Sequence, residues 1–169
     1  MGNATSNKTI EDDSLSEPAV PIVVPWDFSN HAKAALRYAR QQFANPDIHV
    51  LCVLEAPNPY EIGFQWGVDS EQEAAQKCAE DFAKEAGVQH ASETEFECRF
   101  GDPADEIARY AKSVHAEFIV MSTHGRTGLQ KLVLGSVAQK VITRASCPVI
   151  LLPNHWYESN DKQIEKADG

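Results

Sequence analysis

The sequence predicts an α/β fold: a single doubly wound domain with a five-stranded, mainly parallel sheet and helices on both faces. Three observations carry this. Five short apolar runs alternate with four stretches of helical periodicity, and strands that alternate with helices pair in parallel through right-handed crossovers. Most of the runs are continuously apolar, the pattern of strands covered on both sides. The 169 residues, 43% apolar and 24% charged, are enough for one domain with a core and hardly for two.

Val20-Pro21-Ile22-Val23-Val24-Pro25-Trp26 reads as the first strand. Asp27 and Ser29 can cap the helix that follows, in which Ala32, Ala35, Leu36, Ala39 and Phe43 share one face and which Asn45-Pro46-Asp47 ends. His49–Leu54 is the second strand. The stretch 56–69, with Pro57, Pro59, Gly63 and Gly67, is a long connection of the kind that often carries function. From Ser70, the spacing of Ala75, Cys78, Ala79, Phe82 and Ala86 gives a second helix, closed by Gly87.

Thr94 to Phe100 alternates, with Thr94, Phe96, Cys98 and Phe100 on one side and Glu95, Glu97 and Arg99 on the other. One face therefore meets water, and this third strand belongs at an edge. Gly101-Asp102-Pro103 is a turn with Asp102 as N-cap and Pro103 at the first helical position, leading into Ala104, Ile107, Ala108 and Ala111 on one face. Phe118–Met121 is the fourth strand. A glycine-marked loop runs from Ser122 to about Leu134, a helix opening at Gly135-Ser136 presents Val137, Val141 and Ile142, and Pro148–Leu152 is the fifth strand, stopped by Pro153. Residues 1–19 read as a disordered acidic tail and 154–169 as a polar C-terminal tail.

The net charge of −10 opposes binding to nucleic acid, whose affinity comes largely from basic contacts to phosphates. Part of it lies in the tails, and the segment between them is mildly acidic, which favours a soluble, cytoplasmic protein. Cys52, Cys78, Cys98 and Cys147 stand far apart in sequence with no Cys-x-x-Cys pair, arguing for reduced thiols. The longest apolar runs fall well short of the ~20 residues that cross a bilayer. Met1-Gly2-Asn3-Ala4-Thr5-Ser6 fits the N-myristoylation pattern. An acidic run follows in place of the second signal that stable anchoring needs, so a plain tail is the preferred reading.

Several chemistries lack their residues. There is no Gly-x-Gly-x-x-Gly after a strand, no P-loop, no His-Glu-x-x-His and no Gly-x-Ser-x-Gly. The six histidines are scattered, so no metal site is expected. In a doubly wound sheet ligands bind beyond the carboxyl ends of the strands, here Pro25-Trp26-Asp27, Val53-Leu54-Glu55 and Met121-Ser122. Beyond Met121 come Ser122, Thr123, His124, Gly125, Arg126, Thr127 and Gly128, then Gly135-Ser136-Val137. Glycines let the backbone approach a ligand, a helix start favours an anion, and Arg126 with the hydroxyls can reach phosphate. The same residues also suit an ordinary connection with Ser136 as N-cap, and Asp27 suits either a ribose contact or a helix cap.

At these residues the chain resembles the universal stress protein family, over about residues 20–153. The resemblance rests on Ile22–Ser29, the Gly101-Asp102-Pro103 turn, the loop after Met121, and Cys147–Leu152. The family's motif is Gly-x-x-Gly, nine residues, then Gly-Ser/Thr. Gly125 and Gly135-Ser136 match it, and Ser122 stands in place of the first glycine. The resemblance implies strand order 3-2-1-4-5, as in adenine nucleotide alpha hydrolase-like folds. It implies ATP with phosphates against Gly125, Gly135, Ser136 and Val137, ribose near Asp27 and Met121, and adenine against the backbone of Pro25 to Asp27 and against Val53. Ser122, Thr123, Arg126 and Gly128 complete the expected site, and Mg or Mn could arrive on the phosphates.

Asp27, Arg126, His124 and hydroxyls form a set that binds better than it cleaves, since phosphoryl transfer needs a positioned nucleophile and metal ligands. The first expectation is therefore an ATP-binding stress-response or signalling module with slow or no hydrolysis. The alternatives are a non-binding dimeric interaction protein of the same fold and a nucleotide-dependent hydrolase or transferase. A homodimer is expected through Val149–Leu152, an apolar edge strand with no Lys or Glu to blunt it.

Overall fold

A computed structural model describes residues 19–55, 70–86, 94–123 and 134–153. Outside them lie the tails, the 56–69 loop, the helix stop at Gly87 and the loop residues His124, Gly125, Arg126 and Gly128, together with the myristoylation pattern at Gly2. Five strands are present: β1 (Val20–Trp26), β2 (Pro46–Leu54), β3 (Thr94–Phe100), β4 (Phe118–Ser122) and β5 (Val149–Leu152). The described helices are α1 (Asn30–Gln42), α2 (Glu71–Glu85), α3 (Pro103–Ser113) and α4 (Ser136–Arg144).

Every pairing is parallel, and the sheet order is β3-β2-β1-β4-β5, the expected 3-2-1-4-5. The alternating β3 is an edge strand, as its Glu and Arg face requires. The other edge is β5. Ile22, Val24, Trp26, Ile48, Val50 and Val120 meet Ala32, Ala35, Leu36 and Ala39 of α1 and Phe82 of α2. On the opposite face Val23, Leu51, Ile119 and Met121 meet Ala104, Ile107 and Ala111 of α3 and Ala138 and Val141 of α4. Successive strand side chains point to opposite faces, so an unbroken apolar run fills both layers.

Local sequence accounts for the helix starts. Ser29, Ser70 and Asp102 each accept a backbone N–H three residues on, from Ala32, Glu73 and Asp105. Gly101 has φ +143°, and a Cβ there would meet the Glu106 side chain at 3.3 Å, so glycine alone suits the turn into α3.

Four details differ from the sequence expectation. Pro46 and Asp47 begin β2 rather than only ending α1, since a strand's first residue tolerates the missing N–H of proline. Phe43 has left the helix for an extended conformation at its C-cap, φ −112° and ψ 136°, yet still packs on the core. In α2 the buried line is Ala74, Cys78 and Phe82, with Ala75 and Ala79 flanking it. In α4, Ala138 takes the core position beside Val141, and Ile142 is exposed. Glu106 and Tyr110 of α3 are buried as well, Glu106 against Arg99 and Arg109, and Tyr110 beneath the Arg99 guanidinium and bonded to His49 at 3.2 Å.

Candidate functional site at the carboxyl ends of β1, β2 and β4

The chain leaves β1 in opposite directions, toward β2 on one side and β4 on the other, so the strand order reverses between β1 and β4. Ladder pairing there is confined to Ile22–Phe118 and Val23–Ile119, whereas β1 and β2 pair along the whole of β1. No ladder joins the carboxyl ends Val24–Trp26 and Val120–Ser122. A crevice at such a reversal is where doubly wound proteins take ligands.

The described site candidates lie around this end of the sheet. Pro25 is half-buried in β1 opposite Leu51, Asp27 follows the last residue of β1, and Val53 is the penultimate residue of β2. Met121 and Ser122 end β4, with Met121 packed in the α3–α4 layer and Ser122 in register with Leu152. Thr123 donates its N–H to the Leu152 carbonyl at 3.0 Å and accepts that of Gly135 at 2.9 Å. The second bond brings the start of α4, with Gly135, Ser136 and Val137, against the end of β4.

Gly135 is the N-cap of α4, in an ordinary backbone region (φ −58°, ψ 148°) and with no side-chain cap bond. Ser136 is the first helical residue rather than the cap, and is exposed. The other three described helices carry a side-chain oxygen on their first turn; among the described residues none caps α4, whose opening N–H groups and dipole suit an anion.

Asp27 has a local partner. Its Oδ1 accepts the Ser29 N–H at 3.1 Å and the Ser29 hydroxyl at 2.5 Å, while Ser29 Oγ accepts the N–H of Ala32 at 3.1 Å. Asp27 thus orients the cap of α1 through Ser29.

Two features here were not visible in the sequence. Phe28, between Asp27 and Ser29, has φ +64°, a left-handed conformation costing about 1 kcal/mol or more for a side chain of this size. Nothing about a phenylalanine signals it. Trp26 is buried, held edge-on by Phe28 and Phe82 at 6.0 and 5.0 Å, and its indole N–H meets no acceptor among the described residues. Among the described residues no group of three or more His, Cys, Asp or Glu is placed to hold a metal ion.

The fold and the placement of these residues define a doubly wound α/β protein with a glycine-capped helix start at its strand-order reversal. The Universal stress protein family model matches residues 20–153, and the chain belongs to that family. Universal stress protein MJ0531 of Methanocaldococcus jannaschii is 35% identical over 142 residues, covering 78% of this chain and 80% of that protein. A universal stress protein of Thermus aquaticus is 31% identical over 135 residues, covering 78% and 96%. Among solved structures, the universal stress protein of Archaeoglobus fulgidus in complex with dAMP superposes with a TM-score of 0.53 at 27% identity, covering 78% of this chain and 96% of that one.

Proposed function

We propose that this protein is a cytoplasmic stress-response or signalling module that binds ATP or a close adenine nucleotide at the carboxyl ends of β1, β2 and β4. The phosphates lie against the start of α4, at Gly135, Ser136 and Val137, with Gly125, Arg126 and Gly128 from the preceding loop. Ser122 and Thr123 add hydroxyls, Asp27 and Met121 flank the ribose, and Pro25 and Val53 border the adenine. The observation that carries this reading is the Gly135–Thr123 hydrogen bond at 2.9 Å, which holds the glycine-capped start of α4 at the end of β4, where β4 no longer pairs with β1. The dAMP complex of the Archaeoglobus fulgidus relative supports the ligand class.

Hydrolysis is slow or absent in this reading. The described strand ends offer Asp27 and Glu55 as carboxylates, and Asp27 Oδ1 is engaged by Ser29. Phosphoryl transfer needs in addition a positioned nucleophile and metal ligands. The protein works as a homodimer through β5, the end strand of the sheet.

Mass spectrometry of small molecules released from the purified protein, with calorimetry against ATP, ADP and AMP, tests the proposal. An adenine nucleotide in the released fraction and saturable binding support it. No heat and no competition up to millimolar ATP would remove it.

A further inference from the structure

Cys52 and Cys98 are direct partners in the parallel ladder of β2 and β3. Strand alternation turns both toward the layer covered by α2, which buries Cys78 between Ala74 and Phe82. Three cysteines far apart in sequence thus meet in one cluster, among Leu54, Ala74, Phe28, Phe96 and Phe100. The three thiols lie together in this cluster and act electrostatically on one another. All four cysteines of the chain are free, and Cys147 packs in the opposite layer.

The three are unequal. Cys52 and Cys78 are 2% and 0% exposed, while Cys98 reaches partly to the surface on the edge strand. The neighbouring Cys52 thiol first, then Cys78, holds the Cys98 thiol below its ordinary value, against the opposing effect of burial. Contact with Cys78 and Cys98 and burial push Cys52 up; for Cys78, contact with Cys52 lowers it, but Cys98 and burial outweigh that and push it up. A partly exposed thiol biased toward its thiolate and packed against two buried thiols is the arrangement of an oxidation-sensitive cysteine with a resolving partner. Neighbouring strands lie about 4.8 Å apart, within the ~4.4–6.8 Å Cα separation that disulfides span.

We infer that Cys52, Cys78 and Cys98 form a peroxide-reactive thiol site, in which Cys98 is oxidised first and Cys52 closes it as an intramolecular disulfide. The Cys98 sulfur attacks one oxygen of a hydroperoxide; an S–O bond forms, the O–O bond breaks, and the departing oxygen takes a proton to leave as an alcohol or, from hydrogen peroxide, as water. Cys52 then attacks the sulfur of the resulting sulfenic acid. The S–S bond forms, the S–O bond breaks, and the hydroxide leaves as water with the proton Cys52 gives up. Two thiols lose two electrons and the peroxide gains them. Cys78 is a positioning residue beside Cys98, and an external thiol reverses the bridge.

The test uses the reduced full-length protein and hydrogen peroxide, with thiols counted after denaturation and the bridge located by peptide mapping without reduction. The expected result is a fall from four thiols to two, a chain lighter by two hydrogens, and a Cys52–Cys98 peptide that dithiothreitol removes. Cys147→Ser still loses one pair, whereas Cys98→Ser keeps its three thiols at the same dose. In the unmodified chain, Cys98 is alkylated ahead of the other cysteines at pH 6. Cys78→Ala moves the midpoint of the alkylation rate to higher pH, which a purely packing role would not do. Four thiols surviving, first reaction at Cys147, a bridge between copies, or a bridge that leaves Cys52 free would each overturn the inference.

Discussion

The amide of Gly135 donates to the carbonyl of Thr123 at 2.9 Å. This contact fastens the first turn of α4 to the end of β4, and Thr123 is tied in turn to Leu152 of β5. The helix start is thereby fixed relative to the sheet before any ligand arrives, and an anion bound there meets preorganised donors.

Gly135→Leu separates ligand crowding from folding, because φ −58° and ψ 148° suit any L-residue. The variant is expected to keep its thermal midpoint and lose adenine nucleotide binding. The parent should bind at about micromolar Kd, near −8 kcal/mol, and calorimetry should show at least a tenfold weakening, about 1.4 kcal/mol, in the variant. Unchanged affinity would move the phosphates away from α4.

Turnover of ATP by the pure protein, measured as released phosphate with Mg or Mn present, is expected to be negligible beside the ~1–100 s⁻¹ of kinases. Asp27→Asn tests the carboxylate at the end of β1. Metal-dependent hydrolysis at kinase-like rates, lost in this variant, would make the protein an enzyme. Since Asp27 holds Ser29 at the cap of α1, a small loss of stability in the variant is expected regardless.

Sedimentation at micromolar concentration should give twice the 18.7 kDa chain mass. Ile150→Lys places a charge in the middle of β5, on a side chain that packs partly buried on the α1 layer, and is expected to shift the population to monomer, with the thermal midpoint measured alongside to separate this from loss of the protomer's own core. A parent that sediments as a monomer removes the dimer.

Asp102 joins the start of α3 to α4. Its carboxylate accepts the Asp105 N–H at 3.1 Å, the Lys140 ammonium at 3.1 Å and the Arg144 guanidinium at 3.3 Å. The Asp105 N–H bond first, then Lys140, holds its pKa below the ordinary 3.8. A group depressed on folding stabilises above its unfolded pKa and ceases to do so as pH falls through the folded one. Asp102→Asn, which keeps a cap acceptor, should lower the thermal midpoint at pH 7, and Asp102→Ala should lower it further. Both differences should shrink as pH drops below about 3.8, where the parent loses the same charge.

Phe82 stacks on Phe96 at 4.6 Å and meets Trp26 edge-on at 5.0 Å. Phe82→Ala is expected to cost about 3–5 kcal/mol in urea unfolding, the usual range for deleting a buried aromatic ring. A cost under about 1 kcal/mol would mean that α2 contributes little to the core.

The strands and helices were legible because their signals are local. Ser29, Ser70 and Asp102 act through bonds spanning three residues, and the alternation of Thr94–Phe100 states its own edge position. The helix faces were legible only in part: Ile142 fits an apolar stripe, yet the rotation of α4 puts Ala138 in the core. Which of two adjacent apolar residues is buried depends on the surface facing the helix, and that surface comes from Val23, Ile119 and Met121 on other segments.

Of the candidate site, the sequence by itself determined the residue types and their spacing, from Met121 through Gly135-Ser136, because a glycine-marked loop before a helix is a property of neighbouring residues. The tertiary structure alone decided that Thr123 and Gly135 touch, that β1 and β4 part at their carboxyl ends, and that Phe28 takes a left-handed conformation. It also decided that Cys52, Cys78 and Cys98, each an unremarkable apolar position in its own segment, meet at one point. Parallel pairing sets β2 beside β3 only through a long crossover, and that crossover includes α2. Strand register and helix placement, rather than anything near each cysteine in sequence, bring the three thiols together.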